Sequence, residues 1–286
     1  MKILLKWQLI LLGLLLFYRF HVEARSTRPQ RIINGSKAKA QQFPYQVFFE
    51  ILNNSKWIPQ CGGVIISERT VLTAAHCFED KFDLFRLYFG AVNRKNSSET
   101  GQQRLIVHRE NTVIHEGYEL DQSLNDIAVI NLPAEIQFDE YIQPIGLPSP
   151  NQVIDNKDGI TSGFGSTQAP KNGIIIKSDH LMYLKVRILQ NQMCKPILHK
   201  YFPARFFPAS WVCIAPNKST PCGGDSGGPL VIKNANGDNT LVGITSFGMD
   251  TICSLKRPGV YTRVSSYLEW IQSVSKSTKL YLNGIQ

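Results

Sequence analysis

Several common functional patterns are missing from this sequence. It has no C-x-x-C pair and no H-E-x-x-H sequence, so zinc sites of those types are not indicated. It has no dense basic run with interleaved aromatic residues, which argues against nucleic-acid binding. It also has no short-period repeat and no low-complexity tract. With 43% hydrophobic and 19% charged residues, the chain is expected to be globular with a sizeable core.

The formal net charge of +9 is concentrated at the N-terminus. Residues 1–31 contain six lysines and arginines but one acidic residue, Glu23. The rest of the chain has 25 basic and 21 acidic residues, which leaves a charge of +4. A charge this small and unclustered does not indicate an anionic partner.

The first 24 residues have the pattern of a secretory signal peptide. Lys2 and Lys6 precede an apolar run, Leu9–Phe17, and Val22 and Ala24 lie where a signal peptidase would read them. The run is far shorter than the roughly 20 residues that span a bilayer, so a membrane anchor is not favoured. We therefore expect a secreted, extracellular protein with no membrane contact after residues 1–24 are removed.

Secretion affects the interpretation of the six cysteines. An even number in an oxidising compartment favours disulfides over metal ligands, and sequence alone leaves 15 pairings open. Between Gly90 and Gln103 the only carboxylate is Glu99, so a calcium site is not expected there. We expect no metal and no cofactor.

Short β-prone runs separated by turn residues indicate an all-β fold. A proline-marked stretch, Pro133–Pro150, divides them into two units, of about residues 32–145 and 146–286. A C-terminal α-helix is the only helix that the pattern predicts, and Ser266–Glu269 fits a capping box at its start.

The stretch Cys222–Pro229 places one hydroxyl, that of Ser226, among four glycines. A hydroxyl is a weak nucleophile near neutral pH and needs a base, which in turn needs an orienting group. His76, in a run of small residues that ends at a cysteine, is the candidate base. Asp126, a carboxylate at the start of an apolar run, is the candidate orienting acid because it would need a partner on burial.

The motifs AAHC, NDIAV and CGGDSGGP, in this order, resemble those of the trypsin/chymotrypsin family of serine endopeptidases. The resemblance extends from Ile32 to the final helix. It implies two six-stranded antiparallel β-barrels with the active site between them and a C-terminal α-helix. Residues 32–286 would then form the peptidase domain.

The resemblance also assigns roles to individual residues. Ser226 would be the nucleophile, His76 the general base and then acid, and Asp126 the group that orients His76. The backbone N–H groups of Gly224 and Ser226 would form the oxyanion hole, and Ser246 would hydrogen-bond to Asp126.

The polar, basic segment 25–31 is interpreted as an activation propeptide. A trypsin-like protease would cut after Arg31 and release a new amino group on Ile32. A buried ammonium of this kind needs a carboxylate, and Asp225 is the candidate. The resemblance further implies three disulfides, Cys61–Cys77, Cys194–Cys213 and Cys222–Cys253.

Substrate preference in this family depends largely on the residue six positions before the nucleophile, which here is Thr220. A threonine offers no counter-ion for a substrate lysine or arginine. Gly248 and Gly259 match pocket-wall positions and would leave the pocket open, whereas Phe247 stands where family members usually have tryptophan. We predict chymotrypsin-like cleavage after large apolar or aromatic residues.

Two alternatives are an elastase-like preference and a non-catalytic homologue that only binds. The intact set of three candidate residues argues against the latter. The expected partners are protein or peptide substrates, the activating protease and protein protease inhibitors.

Overall fold

The computed structural model describes residues 35–166, 176–201, 207–216, 221–248, 257–276 and 280–281. The predicted signal peptide and propeptide, with Arg31 and Ile32, lie outside these ranges, as do Thr220 and Cys253. None of the helices within the described ranges is long and apolar enough to cross a membrane.

The chain is mostly β, as predicted. The described residues form strands β1 (Ser36–Lys37), β2 (Gln46–Asn53), β3 (Lys56–Ser67), β4 (Thr70–Thr73), β5 (Leu84–Phe89), β6 (Gln103–His108), β7 (Thr112–Ile114), β8 (Ala128–Asn131), β9 (Asp158–Gly163), β10 (Met182–Arg187), β11 (Trp211–Cys213), β12 (Pro229–Lys233), β13 (Asn239–Gly248) and β14 (Gly259–Arg263). They pair antiparallel in two curled sheets.

The first sheet has the order β6-β5-β2-β3-β4-β8-β7. Its two outermost strands, β6 and β7, are joined by a single 3-10 turn, Arg109–Asn111. They are thus two halves of one bent strand. One half pairs with β5 and the other with β8, which curls the sheet back on itself. With this strand counted once, the sheet has the six strands that were predicted.

The second sheet has the order β1-β10-β9-β12-β13-β14-β11 and contains one strand more than predicted. The additional strand is β1, which pairs through Ser36 with Tyr183 and through Lys37 with Met182. Two residues are too few to show a strand pattern in the sequence. At the other end of the sheet, a bridge between Ile188 and Ile214 brings the chain after β10 back to β11.

Burial follows the period-two pattern of the strands. In β10, Met182, Leu184 and Val186 are buried, whereas Lys185 and Arg187, on the opposite face, are exposed. The buried residues of β10 pack with those of β12, β13 and β14 to form the core of the second sheet. The core of the first sheet is larger and aromatic, with Phe48, Phe49, Phe78, Phe85 and Phe89 almost fully buried.

Two α-helices are described, α1 (Asn191–Tyr201) and α2 (Leu268–Val274). The C-terminal helix α2 confirms the predicted helix, but the capping box predicted for it is wrong. Ser266, the predicted N-cap, belongs to a preceding 3-10 turn. The N-cap is instead Tyr267, whose side chain makes no capping hydrogen bond. Helix α1 was not predicted. It contains Pro196, which lacks a backbone N–H and normally argues against a helix interior.

Candidate active site

His76 lies in a short 3-10 turn, Ala75–Phe78, that follows directly after β4. Ala74 and Ala75 are fully buried, so small side chains allow this turn to pack tightly in the interior. The adjacent Cys77 forms a disulfide with Cys61 of β3. The side chain of His76 is only 26% exposed, which leaves part of the ring open to solvent or a ligand.

Asp126 precedes β8 and its side chain is 2% exposed. Its Oδ2 accepts a hydrogen bond from His76 Nδ1 at 2.8 Å, and its Oδ1 accepts one from the His76 backbone N–H at 3.0 Å. The hydroxyl of Ser246 also donates to Oδ2. The carboxylate that the sequence places at an apolar strand is therefore paired on both oxygens, as a buried charge requires.

Burial by itself would lower the pKa of His76. The negative charge of Asp126, its hydrogen bond and the more distant Glu79 outweigh burial and raise the pKa above its usual range. For Asp126, burial would raise the pKa, but the interactions with His76 and Ser246 hold it below its usual range. The pair therefore favours a charged Asp126 beside an imidazole that binds protons readily.

The loop that carries Ser226 is tied to both sheets. The Gly62 N–H of β3 donates to the Ser226 carbonyl at 2.7 Å, and the Gly227 N–H donates to the Thr245 carbonyl of β13 at 2.8 Å. Gly227 has φ +75°, and a Cβ placed on it would lie 2.1 Å from Oγ1 of Thr73, three residues before His76. The serine loop thus packs directly against the segment that leads to the histidine.

The serine loop also contains two backbone N–H groups that the sequence singles out, those of Gly224 and Ser226. Among the described residues, neither the N–H of Gly224 nor that of Ser226 donates to a protein acceptor. Gly224 is buried and has φ +99°, a conformation that glycine adopts readily. Buried N–H groups are nearly always bonded, so the lack of an acceptor for Gly224 within the described ranges is unusual.

A family model described as Trypsin matches residues 32–271, which is most of the chain. The chain belongs to the trypsin family. Its relatives include a collagenase from Hypoderma lineatum, 32% identical over 86% of this chain and 87% of that protein. Another is a chymotrypsin from Phaedon cochleariae, 36% identical over 86% of this chain and 82% of that protein.

A solved structure of HL collagenase has the same fold, with a TM-score of 0.70 and 30% identity. The similarity covers 84% of this chain and 97% of the collagenase chain. The curled antiparallel sheets and the C-terminal helix agree with this trypsin-like fold. As a member of the trypsin family with protease relatives, the chain is a serine protease, a hydrolase of peptide bonds in proteins.

Asp225, next to the serine, is fully enclosed in this trypsin-family chain. Its carboxylate accepts the Gly165 N–H at 2.8 Å and the Cys222 N–H at 2.9 Å. Burial raises its pKa to about 6, despite these two hydrogen bonds and the charge of Lys177. Within the described ranges no basic side chain forms an ion pair with it.

The predicted pocket residues lie at one end of the β13–β14 pair. Ser246 is buried, and Phe247 packs edge-on against Trp211 with ring centroids 5.2 Å apart. Gly248 and Gly259 stand opposite each other in the two strands. Neither carries a side chain, so this part of the wall stays thin.

Two of the three predicted disulfides are present, Cys61–Cys77 and Cys194–Cys213. Cys222 is also disulfide-bonded, and its predicted partner Cys253 lies outside the described residues. The side chains of Cys61, His76 and Cys77 are close enough to suggest a metal site. Both sulfurs are in the disulfide, however, and a disulfide offers no thiolate to a metal.

The sequence did not indicate two further residues that contact the candidate site. The Thr262 hydroxyl donates to the Asp126 carbonyl at 2.7 Å, across 136 residues. Lys177 packs on Gly224 and bonds to the start of β3. Neither has a local signal, because a threonine in a strand and a lysine in a loop are common in any chain.

Proposed function

We propose that this chain is a secreted serine endopeptidase, made as an inactive precursor, that cleaves after large apolar or aromatic residues. The observation that carries the catalytic part is the hydrogen-bonded pair of His76 and Asp126, packed against the loop of Ser226. Because Asp126 accepts from Nδ1, that nitrogen carries the proton. Nε2 is then free to act as the base.

In the proposed reaction, the Ser226 hydroxyl attacks the substrate carbonyl while His76 Nε2 takes its proton. Asp126 stabilises the imidazolium that forms. The imidazolium then gives the proton to the leaving amine, and a water repeats the sequence to release the acyl group from Ser226. The oxygen of each tetrahedral intermediate is bound by the N–H groups of Gly224 and Ser226, where loss of a donor typically costs about 3–4 kcal/mol.

Activation is proposed to follow a cut after Arg31 by a trypsin-like protease. The support is the environment of Asp225, a buried carboxylate with a pKa raised to about 6 and no ion-pair partner in the described ranges. The new ammonium of Ile32 would supply that partner. The cost of burying the charge would then be offset, and the loop beside Asp225 would become more rigid.

Cleavage after large apolar residues rests on the absence of charge at Thr220 and of side chains at Gly248 and Gly259. The packing of Phe247 on Trp211 gives the strand beside the pocket an aromatic, apolar surface. Substrates would be proteins or peptides. Protein protease inhibitors that present such a residue are the expected antagonists.

The activity is tested by labelling with a serine-reactive phosphonate after cleavage at Arg31. Covalent modification of Ser226, absent in Ser226→Ala and in His76→Ala, is the expected result. A correctly folded, cleaved wild-type protein that is not labelled would contradict the proposal. N-terminal sequencing of protein secreted by cultured cells, before and after treatment with trypsin, checks removal of residues 1–24 and of the propeptide.

Specificity is tested with a peptide library and one variant. We expect wild-type cleavage after Phe, Tyr, Leu or Met, and a gain of cleavage after Arg and Lys in Thr220→Asp because the new carboxylate supplies a counter-ion. A wild-type preference for Arg or Lys would contradict the interpretation of Thr220. A preference for Ala or Val would favour the elastase-like alternative.

A further inference from the structure

Lys177 has an unusual position for a lysine. Its Nζ donates to the Pro59 carbonyl at 2.6 Å and to the Gln60 carbonyl at 2.7 Å, both at the start of β3. Burial lowers the pKa of its ammonium to about 8, against the opposing charge of Asp225. Lysines usually keep their charged end in water, so an inward ammonium bonded to main-chain carbonyls indicates a specific role.

The stem of Lys177 covers one face of Gly224. A Cβ built on Gly224 would lie 2.8 Å from both Cδ and Cε of Lys177 and 3.1 Å from its Cγ. The methylene chain therefore fills the space where a side chain would stand. Lys177 thus contacts the serine loop, which precedes β12 of the second sheet, through its stem. It contacts β3 of the first sheet through its ammonium.

The peptide bond between Gly223 and Gly224, which carries the Gly224 N–H, is also held at its carbonyl oxygen. The Ser166 N–H donates to the Gly223 carbonyl at 2.9 Å, and Ser166 is bridged to Lys177 as a short antiparallel pair. A peptide between two glycines has little conformational preference of its own. Its orientation depends on what surrounds it, which here is Ser166 at the carbonyl and Lys177 at the α-carbon.

The other end of Lys177 reaches the histidine segment. Gln60, whose carbonyl accepts from Nζ, donates through its side chain to the Cys77 carbonyl at 3.3 Å, next to His76. One lysine thus links the Gly224 peptide to the structure that supports the base.

We propose that Lys177 is a positioning residue that holds the Gly224 N–H toward the oxygen of the tetrahedral intermediate. It does not touch the reacting atoms. This inference rests on the proposed function, because it assigns a part to Lys177 only if Gly224 binds that oxygen. Loss of the lysine would lower the fraction of molecules with a correctly oriented donor, and so would affect the transition state more than substrate binding.

The test uses Lys177→Met, which keeps most of the stem but loses the ammonium, and Lys177→Ala, which loses both. With a peptide-amide substrate, we expect kcat to fall about tenfold in Lys177→Met, and further in Lys177→Ala toward the 10²–10³-fold loss typical of a missing donor. KM should change by less than about twofold. Affinity for a peptide boronic acid, which forms a tetrahedral adduct, should fall by the same factor as kcat.

The matched control is Lys185→Met, which removes an exposed lysine from β10 and should leave all of these values unchanged. Affinity for the product peptide, which forms no adduct, separates positioning from general damage and should be retained. The proposal is overturned if Lys177→Met keeps wild-type kcat, or if product and boronate affinities fall together. A wild-type protein that neither hydrolyses substrate nor reacts at Ser226 would overturn the proposed function itself.

Discussion

At the scale of single residues, Asp126 fixes both the position and the tautomer of His76. One carboxylate oxygen bonds to the main chain of the histidine and the other to its ring. The first bond holds the backbone and the second holds the imidazole, so neither can rotate without losing a charge-assisted hydrogen bond. Ser246 and Thr262, from the other sheet, hold Asp126 in turn.

Asp126→Asn is expected to change both the rate and its pH dependence. The rate constant kcat should fall by about 10⁴-fold, the loss that the same substitution causes in a well-studied Ser-His-Asp triad. The pKa of His76 should also fall, because burial remains while the raising effect of the carboxylate is removed. The acid limb of the residual kcat/KM profile should therefore move to lower pH.

Asp121→Asn is the control, because it removes a neighbouring but exposed carboxylate. Its profile should match that of the wild type. An acid limb that moves to higher pH in Asp126→Asn would contradict the assigned origin of the His76 shift.

The three triad candidates could be proposed from the sequence because each lies in a short motif whose residue types indicate a chemical role. Lys177 was not predictable in this way. Its proposed role depends on where its methylene groups lie relative to Gly224, 47 residues along the chain, and nothing in Ile176–Ser178 encodes that distance. Residues that act through packing across the fold leave no local pattern.

At the scale of elements, the serine loop is fitted closely to β3 and β4. Gly227→Ala should destabilise the protein by about 3 kcal/mol, from a left-handed backbone (about 1–2 kcal/mol) and from overpacking against Thr73 and the Gly62 carbonyl (about 1–3 kcal/mol). Urea unfolding measures the change. Activity should fall as well, because Ser226 precedes the displaced residue.

Gly237→Ala is a matched control for the backbone effect. Gly237 has φ +86°, yet a Cβ there would have nothing within 4 Å. Gly237→Ala should lower the free energy of unfolding by only about 1–2 kcal/mol and leave activity unchanged. Equal losses of stability in the two variants would show that the contact with Thr73 carries no energy.

Strand β10 was predictable because its alternation of buried and exposed residues is regular. Two other elements were not, for different reasons. Helix α1 contains Pro196, which the sequence pattern treats as a helix breaker, and it is covalently joined to β11 through Cys194 and Cys213. Strand β1 is formed by pairing with Tyr183 and Met182, a tertiary interaction that two residues cannot signal by themselves.

At the scale of the whole molecule, the candidate site residues come from both sheets. His76 and Asp126 adjoin strands of the first sheet, whereas Ser226 precedes β12 and Ser246 lies in β13 of the second. The proposed chemistry therefore requires that the two sheets are correctly packed. Protease activity is accordingly a sensitive measure of their packing.

Stability of the uncleaved precursor should depend on pH through Asp225. Because the folded state raises the pKa of this carboxyl to about 6, it binds more protons than the unfolded state between about pH 4 and 6. The protonated carboxyl stabilises the folded state fully at pH values below the pKa of the unfolded state. This stabilisation, on the order of 3 kcal/mol, is lost as pH rises through about 6. Urea unfolding of the uncleavable Arg31→Gln precursor from pH 4 to 8 measures this.

The same measurement on Arg31→Gln with Asp225→Asn isolates the carboxyl, because the difference between the two curves removes every other titrating group. In the cleaved wild-type protein, the proposed Ile32 ammonium should suppress this loss. An identical decline before and after cleavage would count against the pairing of Ile32 with Asp225.

Strand β1 also sets the reach of the chain that precedes it. It fastens Ser36 to β10, and Ile32 is four residues earlier, so a chain end released at Ile32 can extend at most about 14 Å from its anchor. A tethered end confined to so small a volume has an effective concentration on the order of millimolar or more. A free dipeptide that mimics this end would have to be supplied at comparable concentration to compete with it, and mutations that loosen β1 would lower that threshold.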